Sequence, residues 1–117
     1  MNKVYICSPY RGEVLKNVTK ALAYCRNEIL KGNLPVCPHI YFTRFLDDTK
    51  ENERNIAIEM NKKLLQQCDY MNVYGNEISK GMQAEIDLAM SLNIPIKFVT
   101  LSDNDLDNIL VGIPVIN

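Results

Sequence analysis

The amino-acid sequence predicts an α/β protein of Rossmann/flavodoxin-like type: a three-layer αβα sandwich with about five mostly parallel strands, in one domain over residues 1–117. Two observations carry this expectation. Short apolar runs of strand length alternate with longer segments of helical periodicity along the whole chain. Such alternation calls for parallel strands joined by right-handed helical crossovers. A chain of 117 residues also has enough material for one substantial hydrophobic core and too little for a second.

The first run, "KVYIC" at 3–7, ends in the turn-like "SPYRG" and reads as a buried strand followed by a loop. From Val14 to Lys31 the residues Val14, Val18, Ala21, Leu22, Cys25 and Ile29 recur at three-and-four spacing, and Gly32 closes the pattern as a helix C-cap does. "LPVCP" (34–38) gives a second short strand, halted by Pro38. The aromatic "HIYFTRFLDD" after it fits neither period. Glu51 to Gln67 has the spacing of a second long helix, with Ile56, Met60 and Leu64 directed inward and Leu65 beside them. "DYMNVYG" (69–75) is a third strand. The loop "NEIS", a helix from about Ser79 to Asn93, the strand "IPIKFVT" (94–100), a short acidic helix near Ser102 to Leu110 and a final apolar "VGIPVI" complete the series.

The totals exclude several classes. Hydrophobic residues at 47% and charged residues at 23% suit a globular chain and argue against disorder. A formal net charge of -1 offers no broad cationic surface to a nucleic-acid polymer or an anionic membrane. No stretch approaches the roughly 18 apolar residues of a membrane span, and the first apolar run is too short for a secretory signal, so the expected location is the cytoplasm. Cys7, Cys25, Cys37 and Cys68 form no C-x-x-C pair and lie in apolar segments, which predicts buried, reduced thiols. Neither a metal nor a cofactor is predicted.

In an open parallel sheet, sites lie beyond the carboxyl ends of the strands where the chain order reverses. That rule selects the loops "SPYRG", "PHIYF" and "GNEISKGM". The helix that follows the last of these carries an anomaly. At about 100° per residue, Met82, Ile86, Ala89 and Met90 share one side, and Glu85 falls inside that apolar arc rather than with Lys80, Gln83, Asp87 and Ser91. An unpaired buried carboxylate costs several kcal/mol, so it needs a partner such as Arg11 or a function.

Glu85 also lies within two turns of a helix start, where the dipole favours its ionised form. Ser79 suits the N-cap, and Gly81 leaves backbone N–H groups open to a bound anion. Ser8, Tyr10 and Arg11 supply a hydroxyl, a stacking ring and a guanidinium. His39 has equal claims as a structural residue and as a substrate contact. Asp47 and Asp48 most simply cap the next helix, although one of them is within reach of the cleft.

With "SPYRG", "PHIYF", "FLDD", "CDYMNVYG" and "ISKGMQAE" in this order over roughly residues 3 to 100, the chain resembles the nucleoside 2-deoxyribosyltransferase-like superfamily, nearest its small phage and bacterial members. The resemblance implies that Glu85 is the nucleophile attacking the anomeric carbon of an N-glycoside. Ser79, Gly81 and Glu85 resemble the S-x-G-x-x-x-E of the deoxynucleoside 5'-monophosphate N-glycosidases, with Met82 standing where a smaller residue is usual. Serine in place of the aspartate of D-x-G-T-x-x-E removes a charge that would repel phosphate, and "SPYRG" resembles the S-x-R-G loop of the same hydrolases.

The resemblance thus implies a retaining N-glycosidase acting on a nucleoside 5'-monophosphate or related nucleotide. Ser8, Tyr10, Arg11 and Gly12 would contact base and phosphate, Ser79 with the Gly81 and Met82 amides would hold the phosphate, and His39 or Asp48 would assist the leaving base. It also implies a homo-oligomer. The competing expectations are a base-exchanging deoxyribosyltransferase and a non-catalytic module that sequesters a nucleotide.

Overall fold

The computed structural model describes residues 1–114. Its strands are β1 (Lys3–Cys7), β2 (Leu34–Val36), β3 (Tyr70–Tyr74) and β4 (Ile96–Val99), and its helices are α1 (Val14–Leu30), α2 (Pro38–Tyr41), α3 (Glu51–Gln66), α4 (Lys80–Ser91) and α5 (Asp103–Val111). The strands form one parallel sheet in the order β2-β1-β3-β4. This is the expected α/β sandwich with four strands among the described residues. Of the last apolar segment, Val111 ends α5, and residues 115–117 lie outside the described residues.

Strand geometry sorts the core into two clusters, because successive side chains point to opposite faces. Tyr5, Cys7, Met71 and Val73 face Leu65 of α3 with Met82, Ile86 and Ala89 of α4. Val4, Ile6 and Tyr74 face Tyr24 of α1 and, at the edge, Leu106 of α5. β1 and β3 are therefore buried on both sides, which is why each reads as a mainly apolar run, broken in β3 by the buried Asn72.

Two helices are turned from the expected orientation. In α1 the buried residues are Ala21, Ala23, Tyr24 and Glu28, while Ile29 is exposed. Tyr24 stacks on Tyr74 with ring centroids 4.3 Å apart, a contact of about 0.5–1.5 kcal/mol beyond its area, and polar groups of β3 receive Glu28. A Schellman closure ends the helix, with Gly32 and Asn33 N–H donating to the Ile29 and Glu28 carbonyls. In α3, Ile56 and Met60 face solvent and Leu65 is the buried apolar residue. The residues of α3 that line the cleft are Arg54, Ile58, Asn61 and Leu65, at i, i+4, i+7 and i+11, with Ile58 itself exposed at its mouth.

The "HIYFTRF" stretch folds as α2 and a 3-10 turn at Phe42–Arg44. Tyr41, Phe42 and Phe45 contact one another there. Pro38 occupies the first turn of α2, where its missing N–H costs nothing.

β1 and β3 are adjacent in the sheet, yet β1 leads on to β2 at one side and β3 to β4 at the other. The chain order reverses between them, so a crevice opens beyond their carboxyl ends. Gly75, at φ +117°, lets the loop after β3 fold against Pro9: a Cβ there would come within 3.4 Å of the proline ring. The loops after β1 and β3 thus lie side by side at the mouth of the crevice.

Candidate active site

A cleft of about 660 Å³ opens at this reversal, within the size range of small-ligand sites. β1 contributes Tyr5 and its loop Ser8, Tyr10 and Arg11; α2 contributes His39; α3 contributes Arg54, Ile58, Asn61 and Leu65; the start of α4 contributes Ser79, Lys80, Gly81, Met82 and Glu85. Each element brings its residues for a local reason. Asn17 Nδ2 donates to the Tyr10 and Arg11 carbonyls at 3.1 and 3.2 Å, tying the loop to α1. Ser79 accepts from the Met82 N–H at 3.3 Å and so caps α4.

Glu85 is the one carboxylate on the cleft walls among the described residues. It has no cation within ion-pair distance among the described residues: Arg11 pairs with Asp48, Nε to Oδ2 at 3.5 Å. Although the residue as a whole is only partly covered, its carboxyl end lies deep enough that burial raises the pKa from the usual 4.5 to about 7, against an opposing hydrogen-bonding influence of the Tyr5 hydroxyl. The expected dominance of the helix dipole is thus corrected. Desolvation outweighs the few tenths of a kcal/mol the dipole offers one to two turns from a helix end.

His39 is also held neutral, its pKa lowered to about 4 by burial. Its Nε2 lies 3.4 Å from Ser8 Oγ and 3.6 Å from Cys37 Sγ, and its ring leans toward Tyr10 with centroids 5.5 Å apart. No carboxylate orients it, so the imidazole offers one donor and one acceptor and no charge at neutral pH.

Two expected residues, Asp48 and Gly12, stand apart from this constellation, and a third, Met82, lines the cleft with its amide already engaged. Asp48 lies in a neighbouring depression of about 440 Å³ that shares Tyr10 with the cleft. Its exposed pair with Arg11 is of a kind worth about 0–1 kcal/mol. It does not cap α3 either: the helix starts from Lys50 without a side-chain cap, and Asp47 closes the preceding turn through Thr49. Gly12 lies off the cleft walls, and its φ of +93° makes it the turn that admits α1. The Met82 side chain is in the core and its amide already serves Ser79. Lys80 and Gly81 are therefore the N–H groups left without an acceptor among the described residues.

Nothing local in the sequence marks Tyr5, Arg54 and Asn61 as cleft residues, and Lys80, expected on the polar face of its helix, lines the cleft as well. The spacing of Arg54, Ile58, Asn61 and Leu65 is helical, but the apolar Ile56-Met60-Leu64 stripe of the same helix is the stronger signal. The Asn61 Oδ1 is buried without a hydrogen-bond partner, an unmet acceptor on the cleft wall.

Residues 2–99 match the family model described as a domain of unknown function, DUF7768. The chain belongs to that family. Among solved structures, the DUF7768 chain is similar to a 2-deoxyribosyltransferase from the psychrotolerant bacterium Bacillus psychrosaccharolyticus, with a TM-score of 0.64, 19% identity and coverage of 86% of this chain and 74% of that one. It is more loosely similar to a 2-desoxiribosyltransferase from Leishmania mexicana, at a TM-score of 0.49, 18% identity and coverage of 87% and 66%. No curated protein matches the chain significantly. At 19% identity the first likeness establishes the α/β fold that the DUF7768 chain shares with that structure.

Proposed function

We propose that the protein is a retaining N-glycosidase that cleaves the base–sugar bond of a (deoxy)nucleoside 5'-monophosphate or related nucleotide. The observation that carries the reading is Glu85: an inward carboxylate without a cation partner, on the wall of a cleft whose rim carries open amides. A structural ion pair would have left it neither unpaired nor in a crevice. The fold shared with a 2-deoxyribosyltransferase supports the same chemistry.

In the first step a Glu85 carboxylate oxygen attacks C1', the C1'–N bond breaks, and its electron pair leaves with the base nitrogen, which takes a proton from solvent. An oxocarbenium-like transition state separates substrate from a glycosyl-Glu85 ester. Water then attacks C1' of the ester and returns a proton to solvent, releasing the sugar phosphate and the free carboxylate, so that two inversions give retention. A pKa near 7 leaves about half of Glu85 ionised at neutral pH and makes that half a stronger nucleophile than a solvated carboxylate. The Lys80 and Gly81 amides with Arg11 hold the phosphate, and the neutral His39 and Tyr10 flank the base.

A panel of nucleoside monophosphates incubated with the protein and assayed for free base by chromatography tests the reading, with Glu85→Gln as control. Base release that Glu85→Gln lacks is the expected result; release unaffected by the substitution removes Glu85 from the chemistry. Product formed only when a second base is supplied marks the transferase, a reading favoured by the size of the cleft and by the named activity of the similar structure. Nucleotide bound as well by Glu85→Ala as by the parent, with no base released by either, marks a sequestering module. We also propose a homo-oligomer, supported by the exposed Tyr41, Phe45, Ile56 and Met60, and sedimentation of the purified protein decides it.

A further inference from the structure

The cleft gathers more positive charge than one phosphate needs. Arg11, Arg54 and Lys80 reach it from the β1 loop, α3 and α4, against the single carboxylate of Glu85. Arg11 is paired with Asp48, but neither Arg54 nor Lys80 has an ion-pair partner among the described residues. Arg54 is half-buried and lines the α3 wall of the cleft. Lys80 occupies the first position of α4, the helix end where a cation is disfavoured. Like charges collected at one mouth repel unless an anion lies between them.

Chain direction sets these cations on one level. α3 must descend to reach the start of β3, and α4 leaves the end of β3, so both helices begin at the carboxyl-end rim of the sheet. Arg54 lies one turn into α3, and Lys80 opens α4. Glu85 sits five residues further along α4, about 7–8 Å deeper at 1.5 Å per residue. The Lys80 and Gly81 amides with Arg11 account for a phosphate attached to the sugar that Glu85 would attack. Arg54, on the α3 wall, is surplus to that phosphate.

We infer that the cleft takes a nucleoside di- or triphosphate, and that Arg54 selects it over the monophosphate by pairing with the outer phosphate. The planar fork of a guanidinium suits a terminal phosphate, which accepts two parallel hydrogen bonds. The inference rests on the reading of the cleft as a nucleotide site and extends it along the phosphate chain.

Calorimetric titration of the Glu85→Gln protein, which preserves the shape of the cleft and cannot form the ester, gives the affinities of mono-, di- and triphosphates carrying the same base. The triphosphate should bind at least about tenfold more tightly than the monophosphate. Adding Arg54→Gln should reduce that ratio to within about twofold, with an unchanged melting temperature as the folding control. Equal binding of the two nucleotides, or a ratio that survives Arg54→Gln, overturns the inference. The two readings fail separately: base release from monophosphates without a chain-length preference leaves the glycosidase standing alone, and a triphosphate preference without base release leaves Arg54 selectivity standing alone. Failure to bind any of these nucleotides removes both.

Discussion

Glu28 and Glu85 turn inward from helices on opposite faces of one sheet, and the fold treats them in opposite ways. Glu28 is fully buried. It accepts from Asn33 Nδ2 at 3.0 Å, from Asn72 Nδ2 at 2.8 Å and from the Tyr74 hydroxyl in a short hydrogen bond. Burial pushes its pKa up, yet the hydrogen bonds from Tyr74, Asn33 and Asn72, with the charge of Lys31, hold it below the usual carboxylate range. Glu85 receives no comparable set of donors and rises to about 7. The difference teaches that burial alone does not mark a reactive carboxylate. Withheld hydrogen-bond donors and an open cleft do.

Neutralising each carboxylate breaks the comparison most sharply. Glu85→Gln should lower base release by at least about 10³-fold, because it deletes the nucleophile, while Glu28→Gln should leave turnover per folded molecule unchanged. Steady-state rates on protein quantified by circular dichroism check both. Equal losses would mean that the two groups do not differ in kind.

Stability should reverse the ranking. Glu28→Ala takes the acceptor from the buried Asn72 and Tyr74 and should cost about 3 kcal/mol in denaturant unfolding. The contribution of Glu28 is present above its unfolded-state pKa and is lost as pH falls through its lowered folded value.

Glu85 runs the other way. Between the usual 4.5 and about 7 the folded state holds the proton more tightly than the unfolded state, so stability declines as pH rises through that window. The penalty is complete above it. Glu85→Gln should therefore be more stable than the parent by about 1–3 kcal/mol at pH 8, and the gap should close below pH 4.5. Over the same interval kcat/KM should climb with pH and level off above about 7 as the nucleophile ionises.

The smallest expected effect is that of Tyr5→Phe. Its hydroxyl is what opposes the rise of Glu85, so its removal should move the acid limb of the rate profile upward by less than about one pH unit, with little change in the plateau. An unmoved limb would show that Tyr5 only packs.

The sequence alone determined the layer architecture, since alternating apolar runs and helical periods admit few other arrangements. It also determined the inward aim of Glu85, which follows from 100° steps along one helix, and the N-cap at Ser79. Tertiary structure decided the rest. The burial of Glu28 is not legible locally because its two buried partners lie 44 and 46 residues away in β3, and no local period encodes such a meeting. The α3 wall was misjudged because exposed Ile56 and Met60 outweigh Arg54 and Asn61 in any apolar count. The protonation of Glu85 was likewise beyond the sequence. A dipole can be read from helix position, but desolvation depends on every element that closes over the carboxylate, and those elements meet only in the folded chain.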